Sequence, residues 1–312
     1  MFDWVAQMIV HGITCGRMSE IERELASQPE TWRRAAATAA RASDLLPRPG
    51  ARVAAVGCGT SLFVAQAYAG LREPAGGGET DAFAASEAPQ GRIYDVVLAI
   101  SRSGTTTEVT RLLERPWEGA RSVAICGVDD TPVANAADDR IILGFADERS
   151  VVQTRFATGA LALLRAGLGE DLEPVAEDGE RALAADLPID VGSFDHYVFL
   201  GRGWTVGLAN EAALKMRESS GAWAESYPAM EYRHGPISVA GLRSAVWPLG
   251  DVEPDLLRDV AATGATVVDH GLGPIDPMAE LILIQRTAVA LAEARGMDPD
   301  RPQHLTRSVV LS

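Results

Sequence analysis

The feature that most narrows what this chain can fold into is the run Asp95-Val-Val-Leu-Ala-Ile-Ser101-Arg-Ser103-Gly104-Thr105-Thr106-Thr107-Glu108. Its first half is short, apolar and rich in Val and Ile, as in a strand buried on both faces. Its last part, Thr107 to Arg115, carries helix formers with an acidic residue in the first turn. Ser101, Ser103, Gly104 and Thr105 to Thr107 lie between. A strand, a hydroxyl-rich turn and a helix start gather N–H and O–H donors around one point, with the positive end of a helix dipole behind it. That arrangement suits an anion. Ser and Thr also serve as plain helix N-caps, but five hydroxyls around one glycine favour phosphate capture.

The same grammar recurs. Arg52–Val56 reads as a strand running into Gly57-Cys58-Gly59-Thr60-Ser61, with a helix from Leu62 to Leu71. Taken alone, this turn fits a phosphate loop and an ordinary tight turn equally well. Strands follow at Ser122–Cys126 and Arg140–Leu143, then a long apolar helix from about Val152 to Leu168. Strands alternating with helices imply crossover connections and a parallel, doubly wound sheet. Ligands of such sheets collect beyond the carboxyl ends of the strands, so the two turns are expected to converge on one ligand.

Upstream, Ser19 to Leu46 has helical spacing interrupted at Pro29, and Pro47-Arg-Pro49-Gly50 breaks the pattern. Residues 169–194 are acidic and rich in turn residues, although Glu177–Ala185 suits a helix. A second cycle then starts: a strand at Tyr197–Leu200, a turn at Gly201-Arg-Gly203 and a helix from Thr205 to Ser226. Strands at Ser244–Pro248 and Thr266–Asp269 and a helix from Met278 to Arg295 complete it. The expected fold is α/β, with two doubly wound, flavodoxin-like parallel-sheet domains in tandem, each a three-layer αβα unit. The expected boundaries are an N-terminal extension and helix at 1–46, a first domain at 47–168, a linker at 169–194 and a second domain at 195–312. Only the first half keeps a hydroxyl nest; Pro248-Leu-Gly-Asp251 holds its place in the second.

Composition narrows function. A formal charge of −15 over 312 residues argues against nucleic acid or an anionic membrane surface as partner. It leaves a phosphorylated small molecule open, since a local nest of donors can hold an anion on an acidic protein. The three cysteines, Cys15, Cys58 and Cys126, are widely spaced and odd in number, which suggests neither a disulfide framework nor a paired-cysteine metal site. With no apolar run near the roughly 18 residues of a membrane span, a reducing cytoplasm is the expected setting. Met1–Arg17 lacks a basic n-region and is not read as a signal peptide; Met18-Ser-Glu-Ile looks like a more natural start.

Several chemistries find no motif. The turn at Gly57 has Leu62 where a dinucleotide fingerprint needs its third glycine. Neither a G-x-x-x-x-G-K-[ST] loop nor a G-x-S-x-G elbow occurs. On the expected helix 205–226, Glu211, Lys215, Glu218, Ala222 and Glu225 share one stripe. It fits a solvated face with an i,i+4 pair; it also fits a buried carboxylate, Glu218, with a raised pKa suited to a general base. His234 sits at a helix-to-loop break and fits a structural or a catalytic role. His11, His196, His270 and His304 show no ligand spacing, so no metal is expected, and no cofactor.

These residues carry a resemblance. The chain is similar to the double sugar-isomerase (SIS) domain proteins, which include the isomerase module of glucosamine-6-phosphate synthase and the SIS-type aminosugar-6-phosphate deaminases. The matching segments are Gly57-Cys-Gly-Thr-Ser61, Ser101-Arg-Ser-Gly-Thr-Thr106, Ser150-Val-Val-Gln-Thr-Arg155, Gly201-Arg-Gly203, Glu211-Ala-Ala-Leu-Lys215-Met-Arg-Glu218, Ala224-Glu225 and Glu231-Tyr-Arg-His-Gly-Pro236. The tail from Asp298 to Ser308 also matches, and looks more like that of the deaminases.

The resemblance implies a sugar 6-phosphate held by Ser61, Ser101, Ser103 and Thr106 with the backbone amides of Gly59, Thr60 and Arg102. Val152, Gln153 and Thr154 would touch the sugar hydroxyls. Glu218 would move a proton between C1 and C2, and His234 would open the ring, reaching in from the partner subunit of a homodimer. A glutaminase domain is missing from the pattern, so ammonia is not expected to come from glutamine. Two positions depart from the family: Arg307 stands where a lysine is usual, and Arg102 where the synthase has glutamine. Arginine cannot form a Schiff base, though Arg307 can still bind a carboxylate or phosphate or stabilise an enolate-like oxygen. Arg102 is expected to add charge beside the phosphate loop.

Overall fold

The computed structural model describes residues 18–89 and 91–311, so the extension at residues 1–17, with Cys15 and His11, lies outside the described residues. Helix α1 (Glu20–Ala26) opens on a capping box between Ser19 and Glu22. Helix α2 (Gln28–Arg41) carries Pro29 in its first turn, where a missing N–H costs nothing. The expected interruption is thus a fresh helix start.

Two sheets follow, each with parallel neighbours throughout. The first contains β1 (Val53–Gly57), β2 (Thr80–Ala84), β3 (Val96–Ser101), β4 (Arg121–Cys126) and β5 (Asp139–Ile142), in the order β2-β1-β3-β4-β5. Its connecting helices are α3 (Thr60–Arg72), α4 (Thr107–Leu113) and α5 (Pro132–Ala136), and α6 (Arg155–Gly167) follows β5. Helix α7 (Glu173–Ala184) leads to the second sheet. That sheet has β6 (His196–Gly201), β7 (Trp223–Pro228), β8 (Ser244–Pro248) and β9 (Thr266–Val267), in the order β7-β6-β8-β9. Helices α8 (Thr205–Ser220), α9 (Pro254–Ala262) and α10 (Pro277–Ala294) complete the chain. None of the described helices is long and apolar enough to cross a membrane.

Both orders place a topological switch point, β1/β3 in one sheet and β6/β8 in the other, where the chain leaves one strand to either side. A crevice opens at the carboxyl ends of such strands. The turns Gly57–Ser61 and Ser101–Thr106 both lie there, as expected.

Alternate strand residues face opposite layers. Val53, Ala55, Leu98, Ile100, Val123 and Ile125 join the same apolar cluster as Phe199 and Trp247 of the second sheet. Ala54, Val56, Val97 and Ala99 face a separate cluster under α4 and α5, and Val198, Leu200 and Val246 one under α9. The two sheets therefore share an inner layer of helices. Helix α7, inside the stretch read as a linker, contributes Val175, Ala176 and Ala182 to that layer.

Four elements were not anticipated: β2, α5, β7 and α9. The helix expected to reach Ser226 stops at Ser220, because Gly221 adopts φ +61° and reverses the chain into β7. The helix expected from Val152 begins at Arg155.

The halves meet backbone to backbone where α3 crosses α8. A Cβ on Gly207 would lie 2.5 Å from the Phe63 carbonyl oxygen and 2.6 Å from the Ala67 nitrogen; one on Gly70 would lie 2.8 Å from Trp204 Cα. Arg165 of α6 adds a two-pronged pair to Asp276, the N-cap of α10, at 2.8 and 2.7 Å. Gly207→Ala is expected to lower unfolding free energy by about 1–3 kcal/mol, since the obstructing atoms are main chain. Urea unfolding measures this, and an unchanged midpoint would refute the close crossing.

Candidate functional site

The first turn is shaped by glycine. Gly59 has φ +54° and ψ −126°, a region open to few other residues, and a Cβ on Gly57 would lie 2.6 Å from the Ser61 carbonyl carbon. The chain can therefore turn directly from β1 into the four-turn helix α3. Thr60 and Ser61 occupy its first positions, both buried. The Ser61 hydroxyl makes no hydrogen bond among the described residues.

In the second turn, Ser101 Oγ accepts from the Gly104 N–H at 3.2 Å, and Ser103 Oγ accepts from the Thr105 N–H at 3.2 Å. The Ser101 proton is left to donate elsewhere, whereas Ser103 Oγ also meets Thr105 Oγ1 at 3.0 Å and shares one hydroxyl proton with it. Gly104 (φ +66°) lies against Thr131, leaving no room for a side chain. The hydroxyl of Thr106, the N-cap of α4, caps no amide. Helix α4 itself is only two turns long, and its Thr107 N–H donates to the Val309 carbonyl at 3.3 Å. The helix dipole expected behind this turn is therefore weak and already engaged, and the longer α3 is the better source of positive potential.

Across the crevice, α8 presents a buried charged group. Lys215, 1% exposed, places Nζ 3.0 Å from Thr60 Oγ1, 2.5 Å from Glu218 Oε2 and 3.3 Å from Glu211 Oε1. Burial pushes the Glu211 carboxyl up to about 7, against the pull of Lys215. Burial alone would lower the Lys215 ammonium, but Glu211 and Glu218 outweigh it and its pKa stands above the usual value. The cation that joins α3 to Glu218 is thus held protonated.

This corrects the stripe. Glu211 and Lys215 are an enclosed pair and not a solvated one; the enclosed carboxyl of raised pKa is Glu211, while the Glu218 side chain is 20% exposed. Ala222 and Glu225 leave the helix altogether. Glu225 lies on β7, accepting from Tyr227 Oη at 3.1 Å and Trp223 Nε1 at 3.2 Å and meeting His196 Nε2 at 3.2 Å.

The remaining expected site residues divide. Val152 is in the core. Thr154 donates its hydroxyl and amide to Glu148 at 2.8 and 2.6 Å. Gln153 keeps a buried Oε1 without a partner. His234 follows the short 3₁₀ segment Ala229–Arg233, is exposed, and makes no side-chain hydrogen bond or ion pair among the described residues, Glu218 included. Arg307 is exposed and paired with Asp147. Arg102 is the clearest departure: its side chain is buried and its guanidinium is bonded to main-chain carbonyls, so it does not project into the hydroxyl turn.

Sequence reasoning passed over Lys215 as one half of a surface pair. Its signal was the apolar company of Ala212, Ala213 and Met216, all enclosed. At the second switch point the equivalent donors are consumed internally: the Gly250 N–H by Glu280 at 2.9 Å and the Arg202 N–H by Thr205 Oγ1 at 2.8 Å. Among the described residues, no group of three or more His, Cys, Asp and Glu is placed to hold a metal ion.

The class is a parallel α/β protein with hydroxyl donors at one switch point and an enclosed Lys–Glu group opposite. Known proteins make it more particular. No protein-family model matches the chain. It is 28% identical over 304 residues to the isomerizing glutamine–fructose-6-phosphate aminotransferase of Methanothermobacter thermautotrophicus, covering 83% of this chain and 52% of that protein. With the corresponding protein of Aeropyrum pernix it is 29% identical over 272 residues, covering 69% and 43%. The chain spans about half the length of the curated relatives it matches. Among solved structures, glucosamine-6-phosphate deaminase from Thermotoga maritima matches with TM-score 0.79 at 25% identity, over 94% of this chain and 100% of that one. Tagatose-6-phosphate ketose/aldose isomerase from Escherichia coli has the same fold, with TM-score 0.76 at 20% identity. The chain is thus similar in sequence and fold to sugar-phosphate isomerases and deaminases.

The enclosed Glu211 gives a pH test. Its folded pKa lies above that of an exposed carboxylate, so the native state binds the extra proton and stability falls as pH rises through about 7. Glu211→Gln should lose little between pH 5 and 8 while the unsubstituted protein loses more, read from thermal midpoints. A larger pH-dependent loss in the variant would contradict the assignment.

Proposed function

We propose that the chain is a phosphosugar isomerase that deaminates a hexosamine 6-phosphate, built from two sugar-isomerase domains (47–168 and 195–312) and acting as a cytoplasmic homodimer. The observation that carries this reading is the bridge from Thr60, beside the hydroxyl turns, through Lys215 to Glu218. It sets a proton-transfer carboxylate at a fixed distance from an anion anchor, as C1–C2 chemistry on a sugar held by its 6-phosphate requires.

Ser61, Ser101, Ser103 and Thr106, with the amides of Gly59, Thr60 and Arg102, hold the phosphate, aided by the α3 dipole. Of residues 152–154, Gln153 meets the sugar, its unpartnered Oε1 available to accept from a hydroxyl. Glu218 takes a proton from one of the two carbons and returns it to the other through an enolamine. The resulting ketimine is hydrolysed to ketose and ammonia. Lys215, held as an ammonium, is not a free amine for imine formation, and Arg307 cannot be one. His234 is exposed and unengaged within its own subunit, which suits ring opening in the site of the partner.

One observation favours a second reading. Arg307 offers a planar cation at the tail, which would suit the carboxylate of an amino acid attached to the sugar nitrogen, so the enzyme would be a deglycase of fructosamine 6-phosphates. A phosphosugar-binding regulator is the non-catalytic alternative. Purified protein incubated with glucosamine 6-phosphate should release ammonia and fructose 6-phosphate, and Glu218→Gln should slow this by roughly 10²–10⁴-fold. Free amino acid from a fructosamine 6-phosphate, with no ammonia from the amino sugar, selects the deglycase. Tight binding with no C2 hydrogen exchange in deuterated water selects the regulator.

A further inference from the structure

We infer that Arg102 is a positioning residue: a clasp that holds the C-terminal tail and the 148–154 loop onto the hydroxyl turn, and not a side-chain ligand of the phosphate. The inference deepens the proposed reading of that turn as a sugar-phosphate site.

Arg102 lies between the two serines of the turn, yet its guanidinium points into the protein. Nη1 donates to the carbonyls of Ser150 at 3.0 Å and Val151 at 3.1 Å, and Nη2 to the carbonyl of Arg307 at 2.8 Å. The enclosed Glu148 supplies a counter-charge 3.9 Å from Nη1. The remaining donor, Nε, is sealed from solvent and has no partner among the described residues, so a phosphate held by Ser101 and Ser103 could not reach it without first displacing the chain around it. One residue thus fixes three parts of the site: the turn through its own backbone, the sugar-facing loop through two carbonyls, and the tail through a third. The planar five-donor fork of arginine can reach three such acceptors; a lysine ammonium on its flexible stem lacks that geometry.

Both clasped segments have a second anchor on α1. Asp300 of the tail accepts from the Glu20 and Ile21 amides at the start of that helix, each at 2.8 Å. Glu24, in its last turn, accepts from the Arg149 amide at 2.5 Å, from the Ser150 amide at 3.4 Å and from the Ser150 hydroxyl. Beyond Arg307 the tail continues over the turn: Thr105 Oγ1 donates to Ser308 Oγ at 3.0 Å, and the Leu311 N–H to Thr107 Oγ1 at 2.9 Å. These later contacts lie at half-buried or exposed residues, and Arg307 also pairs through its side chain with Asp147; the Arg102 guanidinium, itself buried, holds the tail where it begins to cross.

Hydrogen exchange of the full chain, with inorganic phosphate as the probe, tests the assignment. In R102Q and in R102K, amides of residues 305–311 should exchange at least tenfold faster than in the unsubstituted protein, and the phosphate Kd values of the two variants should agree with each other within about threefold. R102K decides most sharply, because a lysine would serve a phosphate but cannot clasp three carbonyls. Unchanged tail exchange in both variants overturns the inference. So does a tenfold loss of phosphate affinity in R102Q that R102K restores. Should R102Q not fold, tail exchange in R102K alone decides. If the unsubstituted protein binds no phosphate, the sugar-phosphate reading fails, and tail exchange still judges the clasp.

Discussion

An ammonium group enclosed between two carboxylates and a threonine hydroxyl is the constraint on which the site depends. Removing a lysine from water costs several kcal/mol unless its charge is matched and its donors are used. Lys215 meets that cost with Glu211 and Glu218 from its own helix and Thr60 from the other half of the chain. Glu211 and Glu218 sit at fixed helical spacing, so the one partner that depends on tertiary structure is Thr60. The crossing of α3 and α8 at Gly207 and Gly70 brings the two helices close enough for Lys215 to span the gap. Thr60 and the Lys215–Glu218 group are thereby set relative to one another by packing, without a flexible loop between them.

Two switch points with different fates explain why one site forms. At the first sheet, the Ser61, Ser101 and Thr106 hydroxyls donate to no partner among the described residues, while Ser103, Thr105 and Thr107 are engaged with one another or with the tail. In the second, Glu280 fills the same kind of crevice from inside and uses the Gly250 amide. Sheet order alone allows a donor-lined crevice in each sheet; side-chain chemistry engages the donors of the second and leaves hydroxyls open in the first. The tail then crosses the first, capped onto α1 at Asp300 and clasped at Arg307.

Much of this was legible in the sequence, for reasons particular to each element. Strands β1, β3 and β4 are nearly all apolar because they are buried on both faces, and their turns announce themselves by glycine and hydroxyl residues. Strands β2 and β7 lie at sheet edges with mixed exposure, so neither has the uniform apolar run that marks a central strand. Ala222 to Glu225 even continues a helical pattern; only the left-handed conformation of Gly221 ends it. In the stripe of α8, i,i+4 spacing shows that Glu211, Lys215 and Glu218 share a face, but cannot say whether water or another helix covers it. That depends on α3, some 150 residues upstream. The direction of the Arg102 side chain was illegible for the same reason, since the carbonyls it bonds belong to the 150–151 loop and the tail.

The claim that one site is built across both halves is tested most directly by a double-mutant cycle between Thr60→Val and Glu218→Gln, read as affinity for glucosamine 6-phosphate by calorimetry. The two side chains touch Lys215 from opposite halves, so the account predicts a coupling of about 1 kcal/mol or more, within the range usual for members of one hydrogen-bonded network. Effects that add to within about 0.3 kcal/mol, as for independent positions, would contradict it.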